Sequence, residues 1–169
     1  MTWVQLCENE SERVGFADAA SACSLSGDEI NASEMSSVHR VSLGDRRYYV
    51  KRYFRRGRWL RAIAGRSRIR AEWENLQLFQ QLGIPTARLV AYGESRGGGV
   101  LVTEELRGTT DLAAIARCHP EQLAGPWLDT VIRQLAAHAR LLHDADFIHG
   151  DFKWRNILVS SDGQTPKVF

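Results

Sequence analysis

The sequence predicts an α+β protein with a sheet-rich first part and a mainly helical second part. Three observations carry this prediction. The β-rich runs VHRVSLGDRRYYVKRYF, ARLVAYGE and GVLVTEEL all fall before residue 107. Beyond them the apolar spacing changes from two residues to three or four. A length of 169 residues, 44% hydrophobic and 25% charged, suits one globular domain or one and a half small ones.

The elements follow in order. The opening MTWVQLCENESERVGF carries acids where a signal peptide needs a basic end and an apolar run. Ala17 to Ser37 is rich in Ala and Ser and weakly patterned, so residues 1–37 are expected to be an extension with a first strand region. Two β-rich runs around Gly44-Asp45 predict a hairpin. Leu60 to Leu82 predicts a helix, with Ile69, Trp73, Leu76 and Phe79 at helical spacing and Gly83 and Pro85 ending it. Two strands follow, ARLVAYGE and GVLVTEEL, split by the turn Arg96 to Gly99. A short helix around Asp111 to Ala116 precedes a longer one from Pro126, whose expected buried stripe is Leu128, Ile132, Leu135, Ala139 and Leu142. Asn156 to Val159 and Lys167 to Phe169 read as short strands joined by Ser161-Asp162-Gly163. The division expected is 1–37, 38–106 and 107–169, with a ligand cleft between the last two.

Composition narrows the classes of function. No run of eighteen apolar residues predicts a membrane span. Three cysteines without C-x-x-C pairing predict reduced thiols in a cytoplasmic protein. The net charge of +2 hides eleven basic residues and no acid between Arg46 and Arg70. Such a block is a solvated face or a contact for anionic lipid or a phosphorylated sugar. No nucleic-acid module accompanies it, and nucleic acid is not expected. Zinc spacing, a G-x-S-x-G elbow and a G-x-x-x-x-G-K-[ST] loop are all lacking.

The stretch FIHGDFKWRNILV carries the chemistry. An Asp just after a helix, with an Asn five positions on, is a spacing that phosphoryl transfer uses. Asp151 is the candidate base for an attacking hydroxyl, and Asn156 a candidate metal ligand through its carbonyl oxygen. Lys153 can neutralise charge on the moving phosphoryl group. The competing reading is an ordinary polar turn before a buried strand; His149 is expected to brace the loop rather than exchange protons. Lys51, on the strand run YYVK, can reach nucleotide phosphates if a helix carboxylate holds it. Glu72 shares a face with Leu76 and Phe79, while Glu74 lies about 200° further round. The alternative is a surface pair between Arg68 and Glu72, worth little. The chain has three Lys against nineteen Arg, yet Lys fills both slots, about once in eighty random assignments. His138 and His143 are expected to be structural, hydrogen-bonded histidines.

These stretches resemble the protein-kinase-like superfamily, and more narrowly the lipopolysaccharide core kinases that act on Kdo or heptose. The matching text is RYYVKRYF, RAEWENLQLFQQLGIPTA, VTEELRGTTDL and LLHDADFIHGDFKWRNILV, within Val38 to Phe169. The resemblance implies a two-lobe kinase-like fold, with residues 38–106 as the N-lobe and 107–169 as part of a C-lobe. It implies ATP and Mg2+ as cofactors and a lipopolysaccharide inner-core sugar, or lipid A-core, as acceptor. It places the enzyme at the cytoplasmic face of the inner membrane, where Arg52 to Arg70 suits an acidic surface. It also implies that Glu104, Glu105 and Leu106 line an adenine pocket with backbone hydrogen bonds.

Three departures from the family pattern stand out. No G-x-G-x-x-G precedes the first strand, so loop amides must come from Ser33 to Ser37. Gly150 stands where many protein kinases have Arg. The metal-binding Asp of a D-F-G-like element is expected just after Lys167-Val168-Phe169, where the sequence stops. The expectation is a shortened chain that exposes apolar surface on its long helix and catalyses poorly alone. Two other readings stay open. One is a small-molecule kinase resembling aminoglycoside or choline phosphotransferases; the other is a non-catalytic module that binds anionic lipid through Arg52 to Arg70.

Overall fold

A six-stranded antiparallel sheet organises the first of two units in the computed structural model, which describes residues 2–54, 67–95, 97–160 and 165–169. The units are Met1–Gln77 with Ala87–Glu105, and Leu78–Thr86 with Leu106–Phe169. The chain enters through β1 (Thr2–Gln5), two short helices, α1 (Glu10–Gly15) and α2 (Ala19–Ser24), and β2 (Gly27–Ala32). Then come β3 (Ser36–Leu43), β4 (Arg46–Phe54), α3 (Arg68–Gln81), β5 (Leu89–Ser95) and β6 (Gly98–Glu104). The strands lie in the order β1-β5-β6-β4-β3-β2.

The predicted hairpin is β3 and β4, paired from Ser36↔Tyr53 to Leu43↔Arg46. Its two-residue turn works because Gly44 takes φ 61°, a left-handed conformation that a side chain would resist. Alternation along the strands sorts side chains to two faces. Tyr48, Val50, Val100 and Val102 join Phe16 of the N-terminal segment and Ala22 of α2 in one core. Leu89 and Leu101 meet Ile69 and Trp73 of α3 in another, with Tyr53, Leu76 and Tyr92 against it. The helix seats closely because Gly99 has no side chain: a Cβ there would lie 2.9 Å from two Ile69 carbons. Of the helix expected from Leu60, residues 60–66 lie outside the described residues.

The N-terminal residues are more ordered than their composition suggests. β1 pairs with β5, Thr2↔Glu94 to Gln5↔Ala91, and Phe16 is fully buried against Tyr48. Glu12 of α1 is also fully buried. It accepts hydrogen bonds from the Glu8 N–H (2.8 Å) and the Tyr48 hydroxyl (2.8 Å), and it pairs with Arg88.

The second unit contains β7 (Thr109–Asp111), α4 (Leu112–Cys118), α5 (Gly125–Asp144) and β8 (Leu158–Ser160). Asp111 caps α4 by accepting from the Ala114 N–H at 2.8 Å. β7 pairs with β8, and Val159 bridges Val168, so the expected terminal hairpin gains a third segment. Its turn at 161–163 lies outside the described residues. The stripe expected on α5 holds at Leu135 and Leu142 and needs correction at Ile132. Val131 is fully buried and Trp127 and Leu135 pack on the same core, whereas Ile132 is 52% exposed. Val131 thus takes the core position expected of Ile132, one residue or about 100° round the helix. Among the described residues no helix is long and apolar enough to cross a membrane.

Candidate active site

Lys51 and Glu72 meet in the first unit. Alternation on β4 directs Lys51 to the face that α3 covers, and helical spacing turns Glu72 toward it. The Lys51 ammonium donates to both carboxylate oxygens, at 2.9 Å to Oε1 and 2.7 Å to Oε2. Burial alone would lower the Lys51 pKa, but the Glu72 charge and hydrogen bond outweigh it and raise it, so the ammonium stays charged. Glu74 takes the other side of the helix and pairs with Arg70 at 2.8 Å. Arg68 contacts the Met35 sulfur rather than Glu72. Tyr53, two residues beyond Lys51, donates from its hydroxyl to Glu72 Oε2 at 2.7 Å. Sequence reasoning passed over Tyr53, although its i+2 position already put it on the Lys51 face.

The candidate catalytic loop lies in the second unit and begins at the end of α5. Asp146 takes φ 54°, the Phe147 N–H donates to Leu142 O at 2.9 Å, and the Asp146 N–H to His143 O at 3.0 Å. This left-handed cap reverses the chain, with Asp in the place Gly usually fills. Phe147 and His149 then pack against Phe79, centroids 5.5 and 5.7 Å away, the imidazole nearly parallel to the ring. His149 Nδ1 is buried without a hydrogen-bond partner. A side chain at Gly150 would meet nothing within 4 Å, so packing does not demand glycine there. His138 is pushed toward the neutral form by burial, and His143 is exposed.

Asp151, Lys153 and Asn156 form one hydrogen-bonded turn. Asn156 Nδ2 donates to the Asp151 carbonyl and to Asp151 Oδ2, each at 2.9 Å. Lys153 Nζ lies 2.5 Å from Asp151 Oδ1. Bonds from Lys153 and Asn156 hold the Asp151 carboxyl below the usual carboxylate range. Asn156 itself closes a 3-10 turn, Trp154–Asn156, rather than starting the strand as expected.

The loop's donors suit a magnesium ion in part. Such an ion takes about six hard oxygens, several from water and phosphate. With Asn156 Nδ2 spent on Asp151, its Oδ1 is the atom left for a cation. No group of three or more His, Cys, Asp or Glu gathers among the described residues.

Several backbone amides near the expected nucleotide contacts are engaged within the fold. The Glu104 N–H donates to Arg88 O (2.9 Å) and the Glu105 N–H to Arg47 O (2.8 Å), so both amides are used within the sheet. Their carboxylates are engaged too: Glu104 by Arg88 at 2.6 Å, Glu105 by Arg47 at 2.6 Å. The Leu106 carbonyl accepts from the Thr109 hydroxyl at 2.7 Å. At the β2–β3 tip, Ser33 Oγ takes the N–H groups of Met35 and Ser36, and the Ser33 N–H goes to Ser36 O. Three of the amides expected for phosphate are thus spent inside the hairpin.

The basic block divides. Arg46 pairs with Glu8 and Glu104, Arg47 with Glu105, and Arg70 with Glu74. Arg52 donates to the Cys23 carbonyl. Arg55, Arg56, Arg58, Arg61 and Arg66, which carry most of the expected anionic contact, lie outside the described residues.

The family described as lipopolysaccharide kinase (Kdo/WaaP) has a sequence model that matches residues 24–169. Among solved structures, the chain is similar to WaaP in complex with acyl carrier protein. The TM-score is 0.73 at 24% identity, over 99% of this chain and 69% of that one. That likeness is one of fold and makes the fold kinase-like. No curated protein matches the chain.

Proposed function

Because the chain belongs to the lipopolysaccharide kinase (Kdo/WaaP) family, we propose that it phosphorylates a sugar hydroxyl of the lipopolysaccharide inner core. ATP supplies the phosphoryl group in this reading, and a magnesium ion offsets its charge.

The residues take the following parts. Lys51, fixed by Glu72, presents a compact ammonium to the nucleotide phosphates. The carbonyl groups of Glu104 and Glu105, whose N–H groups are spent, and the backbone of Leu106 face the adenine. Asn156 offers Oδ1 to the cation. Asp151 accepts a hydrogen bond from the acceptor hydroxyl and takes its proton late. A carboxylate held below its usual range is a weak base, which suits a loose transition state where orientation counts more than early proton removal. Lys153, next to Asp151, moves its positive charge onto the transferring group. The acceptor brings the enzyme to the cytoplasmic face of the inner membrane, where the basic composition of Arg52 to Arg70 suits anionic headgroups.

The observation that carries this reading is the Asp151–Lys153–Asn156 turn, three polar side chains tied to one another and still at the surface. Phosphate transfer from ATP by the full chain, to purified lipopolysaccharide core and in parallel to aminoglycosides, tests it. Labelled core with unlabelled aminoglycosides is expected. The reverse pattern would replace the acceptor, and vesicle binding without any nucleotide binding would leave a lipid-binding module.

A further inference from the structure

We infer that Tyr53 is a positioning residue for the nucleotide-binding lysine, acting through Glu72; this rests on the proposed role of the Lys51–Glu72 pair. Glu72 Oε2 accepts two hydrogen bonds at once, from Lys51 Nζ and from the Tyr53 hydroxyl, both 2.7 Å long. The Lys51 ammonium also stands 5.2 Å from the centre of the Tyr53 ring, close enough for a cation–π attraction. One tyrosine thus touches both members of the pair, with its hydroxyl on the acid and its ring beside the base.

The arrangement has a chemical purpose. An ammonium has three N–H donors, and in the free protein two are directed at Glu72. A phosphate that competes for them leaves a half-buried carboxylate short of donors, which is costly. The Tyr53 hydroxyl offsets this loss because its bond to Oε2 does not depend on Lys51. Burial and the nearby Glu72 charge raise the Tyr53 pKa, which keeps the phenol protonated and donating. The ring is anchored against Ile69, Trp73, Leu89 and Leu101, so the hydroxyl is held in place by the same core that seats α3. Tyr53 lets Lys51 turn to the phosphates without Glu72 swinging away.

Calorimetric titration of the full chain with magnesium-ATP tests the inference, with melting temperature measured on the same samples. Tyr53→Phe removes the hydroxyl and keeps the ring; it should weaken binding about three- to tenfold. On a Glu72→Gln background the same change should have almost no effect, since a residue acting through Glu72 cannot add to its loss. Tyr92→Phe loses a hydroxyl bonded to Glu94 beside the same core, and it should bind as the wild type does. Unchanged binding in Tyr53→Phe, an additive loss with Glu72→Gln, or an equal loss in Tyr92→Phe would each overturn the role of Tyr53. Normal binding in both Lys51→Met and Glu72→Gln, or none in the wild type, would instead remove the nucleotide role of the pair beneath it.

Discussion

Glu12→Gln changes one atom's chemistry at the centre of the first unit's buried polar network. The wild-type carboxylate is fully buried and pairs with Arg88, which reaches on to Glu104 at 2.6 Å. Breaking one partner of a buried pair costs about 3–5 kcal/mol when the other charge is stranded. Arg88 here keeps Glu104 and is 23% exposed, Arg46 keeps Glu8, and glutamine retains one acceptor oxygen. The loss should therefore fall to about 2–3 kcal/mol at pH 7. Urea denaturation followed by tryptophan fluorescence measures it, since Trp3 and Trp73 both lie in the first unit. The pH dependence gives a second handle. Burial pushes the Glu12 carboxyl up, but hydrogen bonds from the Glu8 N–H, Arg88 and Tyr48 outweigh it and hold it below its ordinary value. A carboxyl depressed by folding stabilises fully above its unfolded pKa, about 4.3, and loses that contribution as pH falls through the folded value. The gap between wild type and variant should stay constant from about pH 7 to 5 and shrink below about 4. A variant within about 0.5 kcal/mol of wild type at pH 7, or a gap that widens in acid, would refute the reasoning.

Other outcomes follow from the same geometry. Lys51→Arg should fail to restore the nucleotide binding that Lys51→Met loses, because a planar guanidinium fork does not replace a point charge; calorimetry checks this. Lys51→Arg, which keeps the charge, should unfold within about 1 kcal/mol of wild type, whereas Lys51→Met, which leaves Glu72 with Tyr53 alone, should cost about 1–3 kcal/mol. Val131→Ala should cost about 1–3 kcal/mol and Ile132→Ser less than about 1, read by urea denaturation; equal losses would restore the stripe expected from sequence.

Legibility in the sequence followed the range of the forces involved. The β3–β4 hairpin could be read because Gly44-Asp45 and strand alternation are local signals. Glu72 could be chosen over Glu74 because helical spacing fixes which acid shares a face with Leu76 and Phe79. The N-terminal elements were hidden, since α1 and α2 are six residues each. Helices that short are held by burial of Phe16 and Ala22 rather than by propensity. On α5 only Ile132 was misplaced, because Val131 and Ile132 are both apolar and adjacent, and only packing distinguishes them. In the candidate site, the Lys51–Glu72 contact was readable but donor supply was not. Glu104 and Glu105 spend their amides on Arg88 and Arg47, partners that strand pairing alone brings near. The Ser33 side chain likewise consumes amides at the hairpin tip, a local competition that hydroxyl residues favour.

One measurement bears most directly on the catalytic assignment: the rate at which Asp151→Asn transfers phosphate from ATP to lipopolysaccharide core. Asn keeps the size of the side chain and can still face Asn156, so the melting temperature should hold while transfer falls by at least about a hundredfold. A folded Asp151→Asn protein that transfers phosphate within about threefold of the wild-type rate would contradict the assignment of Asp151.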